Sequence, residues 1–285
     1  MARLNALNIT LSGSTAKEQL AELFGHVIAN VQKNTISDIL KNRQLSGDFN
    51  AGTLEAKRIE MSASKEYGTA RSAGKAEATK AKPVVISIDQ KRELLKEWEA
   101  YDLQRYGVVN LMQQEADNMA LSMIRELEYS FFDEAVTAGT QDSPTATLEW
   151  VEKIGKTIVK MEKTKNQFVN GVPRDLINVI CDPEVYDTLR SFLDTRTRPN
   201  VDTTIEEFGK IHGVSYYSSI YIPDGIKYIV MVTESVALPV RTNQYDPFGT
   251  IPLSDATADG FFFYYGKKAV MPDLILYNGT KTVTP

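Results

Sequence analysis

The stretch SASKEYGTARSAGKAEATKAK, Ser62 to Lys82, decides how the fold of this chain is interpreted. It contains no Val, Ile, Leu, Phe, Met or Trp, so it cannot form a hydrophobic core of its own. Its net charge is +3, five basic residues against two acidic ones, whereas the whole chain carries a net charge of −5. Taken alone, this composition is typical of a disordered linker.

The residues on either side of this stretch predict two strands. Before it, Leu54–Met61 has a roughly alternating apolar pattern whose phase shifts at Lys57-Arg58, which predicts a β-bulge there. After it, Val84, Ile86 and Ile88 alternate with Val85, Ser87 and Asp89. Two strands joined by a long polar tip predict an extended hairpin from Leu54 to Asp89.

The length of this hairpin indicates what it does. Each arm of the 36-residue segment (89 − 54 + 1) spans roughly 50–60 Å at ~3.3 Å per residue. A compact chain of this size has a radius of gyration of only about 19 Å. Because isolated two-stranded arms are marginally stable, we expect the hairpin to lie on another molecule, which predicts assembly.

Composition places the chain among folded, intracellular proteins. Its 285 residues suit one large domain or two smaller ones, and a hydrophobic content of 42% is ordinary for a globular protein. The acidic balance gives no overall attraction to nucleic acid or to membranes. The first residues lack a signal-peptide pattern, and the only cysteine, Cys181, lies in an apolar run that predicts a buried, unreactive thiol.

The N-terminal region predicts an amphipathic helix. Its apolar stripe has helical spacing and consists of Leu20, Phe24, Val27, Ile28 and Val31. This helix either packs on its own domain or docks on a neighbouring subunit, and the sequence leaves both alternatives open.

The rest of the chain predicts a mixed α+β fold. Helical spacing is present from Gln90 to Tyr106, and a 31-residue helix is predicted from Val108 to Ala138 with Gly139 as its stop. The later elements are a helix with Leu148, Val151, Ile154 and Ile158, a strand Leu176–Cys181, a helix opened by Asp182-Pro183 and running through Leu193, a β-hairpin of Val214–Ile222 with Lys227–Val232, and the strands Phe261–Tyr265 and Leu274–Tyr277.

No pattern of residues predicts catalysis. Two isolated histidines, His26 and His212, and one cysteine have no zinc-site spacing. Gly47–Thr53 has part of the phosphate-loop spacing but lacks its lysine, and nucleophile-elbow and dinucleotide motifs are missing. We therefore expect no catalytic residue, no cofactor and no metal.

The order of these elements resembles the major capsid proteins of tailed bacteriophages, which share the Hong Kong 97-like capsid fold with herpesvirus capsid floor domains and encapsulins. The resemblance covers nearly the whole chain. It is carried by the loop Leu54–Asp89, the helix around Met112–Ala138, Val172-Pro173-Arg174-Asp175 before Leu176–Cys181, the helix start Asp182–Tyr186, and the terminal stretch Phe261–Tyr277, which looks like the family's last strand pair.

The resemblance implies a domain organisation. It comprises an N-terminal arm (1–50), an extended loop (51–88), a peripheral domain with the long helix (89–146 and 241–285) and an axial domain (147–240). The candidate residues for contacts between subunits are Lys65, Tyr67, Arg71, Lys75, Lys80 and Lys82 of the loop and Phe24, Val27 and Val31 of the arm.

The resemblance also implies a function and partners. The chain is expected to self-assemble, as hexamers and pentamers, into the icosahedral shell of a virion that encloses double-stranded DNA, and to assemble in the bacterial cytoplasm without a membrane. A separate scaffolding protein, a portal and a decoration protein are the expected partners. The alternative within the fold is an encapsulin-type compartment, and the alternative from another class is an unrecognised soluble α/β enzyme.

Overall fold

The described part of the chain contains fifteen strands and four α-helices. The computed structural model describes residues 35–61, 81–98, 108–145, 147, 149–194, 210–211, 213–244, 249–250 and 257–282. The predicted N-terminal helix and the tip of the predicted hairpin lie outside these residues.

The helices are α1 (Ile36–Leu40), α2 (Val108–Ala138), α3 (Trp150–Glu162) and α4 (Pro183–Asp194). The strands are β1 (Leu45–Ser46), β2 (Thr53–Ile59), β3 (Ala81–Ser87), β4 (Gln90–Trp98), β5 (Thr140–Gln141), β6 (Ile177–Cys181), β7 (Lys210–Ile211), β8 (Val214–Ser218), β9 (Ile226–Val232), β10 (Val236–Ala237), β11 (Val240–Gln244), β12 (Gly249–Thr250), β13 (Thr257–Tyr265), β14 (Lys268–Ala269) and β15 (Ile275–Gly279).

The chain divides into two compact units. The first comprises residues 1–38, 88–128 and 239–266, and the second comprises residues 39–87, 129–238 and 267–285. The predicted division into arm, loop, peripheral domain and axial domain is not tested by this grouping and stays a prediction.

A six-stranded mixed sheet forms the centre of the second unit, in the order β5-β15-β9-β6-β8-β7. All five residues of β6 are buried, as the apolar run in the sequence predicts for a central strand. Ile154, Ile158 and Met161 of α3 and Val185 and Leu189 of α4 belong to the core cluster that covers the sheet. The predicted helices and the predicted strand of this region are therefore confirmed.

The predicted β-hairpin of Val214–Ile222 with Lys227–Val232 is wrong. Both strands form, but β6 lies between them, pairing in parallel with β8 and antiparallel with β9. The turn at Pro223–Gly225 reverses the chain without making the two strands neighbours. A short connection does not require direct pairing, and here the fully buried β6 occupies the central position between the two strands.

The first unit contains a sheet in which β13 pairs with β4 on one side and with β11 and β12 on the other. The predicted helical segment from Gln90 to Tyr106 is therefore wrong for its described part, which is strand β4. Nine consecutive residue pairs join β4 to β13, and Leu94 lies opposite the buried Phe261. Partner strands override local periodicity here, because a short charged segment with few apolar residues has no strong preference of its own.

Helix α2 has the bounds that the sequence predicts, Val108 to Ala138. Its apolar stripe is buried at Met119, Met123, Leu127, Phe131 and Ala135. Gly139 ends the helix, as predicted, and its N–H donates to the carbonyl of Ala135 at 2.9 Å.

The last strands Phe261–Tyr265 and Leu274–Tyr277 are both confirmed, as parts of β13 and β15. They belong to different sheets, because β15 pairs with β9 and β5 while β13 pairs with β4, β11 and β12. Cys181 is buried and burial raises the pKa of its thiol, which agrees with the predicted unreactive core residue.

No helix in the described part of the chain is long and apolar enough to cross a membrane. Within the same residues, no group of three or more His, Cys, Asp or Glu side chains is arranged to hold a metal ion.

Candidate assembly interface

The predicted hairpin is present in the second unit as strands β2 and β3. They pair antiparallel over seven residues, from Thr53 opposite Ser87 to Ile59 opposite Ala81. The register is continuous through Lys57 and Arg58, so the predicted β-bulge is wrong. The described residues thus form the base of the hairpin, and the tip begins beyond Met61.

Arg58 explains why the sequence pattern shifts phase. In a regular strand, Leu54, Ala56 and Arg58 share one face, and the first two are buried. Arg58 continues this inward face although it is charged. Its Nη2 donates to Oδ2 of Asp273 at 2.6 Å, and its guanidinium lies over the ring of Phe168, 4.1 Å from the centroid. A partly buried cation with specific partners therefore replaces the apolar residue that alternation would predict.

Apolar packing holds the same face of the hairpin. Ala56 and Ile86 are buried against Ala237 and Val270, with Leu45, Val84 and Met271 packed around them. Burying an aliphatic side chain such as Ile86 contributes about 1.5–3 kcal/mol. The hairpin base is therefore fixed to the rest of the second unit and does not depend on strand pairing alone.

A loop after α3 supports the point where β2 leads into the tip. The N–H of Met61 donates to the carbonyl of Gln167 at 3.1 Å. In the same loop, Oδ1 of Asn166 accepts from the N–H groups of Phe168 and Val169, each at 2.8 Å, and its Nδ2 donates to Oδ2 of Asp273. One carboxylate thus receives hydrogen bonds from both the hairpin and the supporting loop.

The electrostatics of this contact favour the ionised carboxylate. The pKa of Asp273 lies below its ordinary value. Burial acts in the opposite direction, but it is outweighed by the hydrogen bond and positive charge of Arg58, with a further hydrogen bond from Asn166. The side chains of Arg58 and Asp273 are 12% and 30% exposed, so water screens the ion pair only partly.

The opposite face of the hairpin is exposed and partly apolar. It carries Ile59, which is 59% exposed, and Val85, which is 51% exposed, together with the polar residues Thr53, Glu55 and Lys57. Exposed aliphatic side chains on a two-stranded ribbon are typical of a surface that a partner covers. This outer face is therefore a candidate surface for contact with another molecule.

The structure places only one of the predicted contact residues. Lys82 is exposed in β3, where it lies opposite Arg58 across the two strands. The others lie outside the described residues, namely Lys65, Tyr67, Arg71, Lys75 and Lys80 of the tip and Phe24, Val27 and Val31 of the arm. Their role as contact residues stays a prediction.

Sequence reasoning missed the residues that fasten the hairpin, which are Arg58, Asn166, Phe168 and Asp273. The phase shift at Arg58 was a usable signal, since a charged residue at an inward position of a strand needs a buried partner. Asp273 is 215 residues away in sequence, and no pattern in a single sequence indicates that partner.

Comparison with solved structures shows that the chain has the fold of phage capsid proteins, a mixed α and β architecture. No protein-family model and no curated relative matches the sequence. The predicted resemblance is therefore confirmed at the level of the fold.

Three of the similar structures show how far the match extends. A chain from Mycobacterium phage Che8 has a TM-score of 0.63 at 17% identity, over 86% of this chain and 91% of that chain. The capsid of cyanophage P-SCSP1u has a TM-score of 0.60 at 15% identity, over 87% and 89%. A virus-like particle from Pyrococcus furiosus has a TM-score of 0.54 at 12% identity, over 90% and 98%.

Proposed function

We propose that this chain is the subunit of a self-assembling protein shell, the major capsid protein of a tailed bacteriophage. The observation that carries the proposal is the match to a phage capsid over 87% of this chain and 89% of the other. A likeness that spans both chains supports a common architecture rather than one shared motif. The work of such a protein is done by interfaces repeated over many copies, so no catalytic site is required.

The anchored hairpin is the element that we assign to subunit contact. Its inner face is fixed by Ile86 and the Arg58–Asp273 pair, while its outer face exposes Ile59 and Val85. A rigid base lowers the entropy that the hairpin loses when it binds a neighbour. The basic tip residues and the N-terminal stripe named above are the proposed contacts beyond the base.

A capsid subunit of this kind has a defined domain organisation, contents and location. Residues 89–146 and 241–285 form the peripheral domain and 147–240 the axial domain around the five- and six-fold axes. The shell encloses double-stranded DNA, assembles in the host cytoplasm with a scaffolding protein and a portal, and becomes part of the virion. The net charge of −5 favours non-specific confinement of the DNA over tight binding to its phosphates.

A second candidate function is an encapsulin-type compartment that encloses protein. The observation that favours it is the similarity to the virus-like particle from Pyrococcus furiosus, of which 98% is covered. Fold alone does not separate the two, because both use the same shell architecture.

Sedimentation and electron microscopy of the purified chain, alone and with lysate of infected cells, test the proposal. Closed shells are expected, and genome-length DNA protected from nuclease inside native particles supports the phage capsid. Protein cargo without DNA favours the compartment. A chain that stays monomeric under all these conditions contradicts both.

A further inference from the structure

Glu128 is a buried carboxylate on helix α2 for which the proposed function has no use. Its side chain lies in the interior, and the residue is only 2% exposed. Its Oε1 accepts a hydrogen bond from the N–H of Ser37 at 2.7 Å. Its Oε2 has no partner among the residues that the structure describes. A carboxylate that is buried and only half satisfied is costly, so its position needs an explanation.

The group that Glu128 holds is the first turn of α1. Ser37 is itself buried, as is Thr35 immediately before the helix. A helix of five residues is not stable on its own, and the N–H groups of its first turn have no intrahelical partner. The carboxylate supplies that partner from α2. This hydrogen bond therefore joins the first turn of α1 to α2.

The residues after the first turn of α1 are held by a different set of hydrogen bonds. The carbonyl of Leu40 accepts from the N–H of Glu234 at 2.8 Å, and the N–H of Asn42 donates to the carbonyl of Val236 at 2.8 Å. The side chain of Asn42 adds a bond to the carbonyl of Glu234 at 3.1 Å. Loss of the Glu128 contact should therefore loosen the first turn of α1 at Ser37 without freeing residues 40–46.

Among the described residues, the groups that offset the burial of Glu128 are hydrogen-bond donors at the start of α1. The titratable side chains on neighbouring stretches are Asp38, Lys41 and Arg43 after the start of α1, Arg125, Glu126 and Asp133 on α2, and Arg92 and Tyr265 on the sheet. Arg92 and Tyr265 both donate to Oε1 of Glu126. Burial raises the pKa of Glu128, and only hydrogen bonds from Ser37 and Ile36 oppose that rise.

We propose that Glu128 is a protonation-dependent clasp that holds residues 35–38, through which the N-terminal segment joins the fold, on helix α2. When a proton from solvent binds the unpartnered Oε2, the side chain becomes neutral, and Oε1 still accepts from Ser37. When that proton is released, a buried charge remains, and opening the contact to water lowers its free energy. The clasp is tight at low pH and loosens as the pH rises through the pKa of Glu128.

Amide hydrogen exchange resolved to single residues tests this on the full, unassembled chain. After correction for intrinsic exchange rates, the opening constant at Ser37 is expected to rise with pH, about tenfold for each unit by which the pKa is raised. Leu45 and Ser46 should show no such change. In Glu128→Gln, which keeps an acceptor without a charge, the pH dependence should vanish. In the control Glu152→Gln, on the exposed side of α3, it should remain.

Three outcomes of the hydrogen-exchange experiment overturn the proposal. These are a flat profile at Ser37 in the unmodified chain, an unchanged slope in Glu128→Gln, and parallel changes at Leu45, which would mean global opening. A carbon NMR titration of the Glu128 carboxyl needs no variant. A midpoint above the ordinary value of about 4.3 supports the clasp, and one at or below it contradicts the clasp. Neither measurement requires shells to form, so failure of the clasp and failure of the proposed function are distinguishable.

Discussion

Arg58 and Asp273 form an ion pair with 2.6 Å between Nη2 and Oδ2, and this pair joins the base of the hairpin to the rest of the second unit. The two residues are 215 positions apart in sequence. Phe168 covers the guanidinium, and Asn166 binds the same carboxylate, so the loop after α3 closes around the pair. This contact is made by four side chains from three parts of the chain, and it holds the base of the hairpin in a fixed position.

Removing the guanidinium should therefore destabilise the protein. Arg58→Ala leaves the carboxylate of Asp273 partly buried without its main partner, and we expect the free energy of unfolding to fall by about 1–3 kcal/mol. Arg58→Lys should recover only part of this loss, because an ammonium stacks less well on Phe168. Chemical denaturation measures both. The control is Lys57→Ala on the exposed face, and an equal loss there would contradict the role given to Arg58.

The same pair predicts how stability depends on acid. The pKa of Asp273 in the folded protein lies below its unfolded value of about 3.9, so the native state binds fewer protons than the unfolded state. Its contribution is complete above the unfolded value and is lost as the pH falls through the folded one. Asp133 behaves in the same way. Burial raises its pKa, but its ion pairs with Lys267 and Lys281 lower the pKa further, so its contribution to stability is also lost in acid.

Unfolding temperature measured from pH 6 to pH 2 checks this prediction. The unmodified chain should lose stability below about pH 4, and Arg58→Met should lose less over the same interval because its Asp273 is no longer held ionised. Identical acid profiles for the two proteins would show that Asp273 is not coupled to Arg58.

Two glycines form a matched test of packing. A methyl group at Gly139 would lie 2.6 Å from the carbonyl oxygen of Ala135 and 2.8 Å from Cγ2 of Ile275, whereas at Gly155 nothing lies within 4 Å. Gly139→Ala should therefore destabilise the protein by roughly 1–3 kcal/mol. Gly155→Ala, inside helix α3, should stabilise it by roughly 0.5–1 kcal/mol. If the denaturation midpoints of Gly139→Ala and Gly155→Ala shifted in the same direction, the close packing at Gly139 would be contradicted.

The hairpin's outer face should be required for assembly and not for folding. Val85→Lys places a charge on an exposed position, so we expect an unchanged free energy of unfolding within about 0.5 kcal/mol but few or no shells. Val85→Thr, similar in shape, should assemble. Sedimentation velocity together with thermal unfolding separates the two effects. If Val85→Lys formed normal shells, the outer face of the hairpin would not be part of the interface between subunits.

Local pattern was sufficient for elements that are strongly periodic. Helix α2 has the predicted bounds because its apolar stripe continues over many turns. Strand β6 is predicted correctly because a mostly apolar run flanked by turn residues indicates a central strand. The pairing of β2 with β3 followed from alternation on both sides of a polar stretch.

Pattern failed where a distant partner decides the structure. Strand β4 forms because nine residues of β13 lie beside it, and β8 is separated from β9 by a strand that precedes both. The ion pair of Arg58 with Asp273 and the burial of Glu128 beside Ser37 depend on side chains brought together only by the fold. A single sequence contains no signal for such pairings.

Deletion of residues 67–80, the tip of the hairpin, tests whether the hairpin is required to form shells. The deletion leaves the strands Thr53–Ile59 and Ala81–Ser87 intact, so we expect the base to keep its core contacts and its ion pair. The measurement is the fraction of protein that sediments as closed shells, with thermal unfolding of the subunit measured alongside. We predict a folded subunit that forms no stable shells. Normal shells from the folded variant would contradict the assembly role of the hairpin.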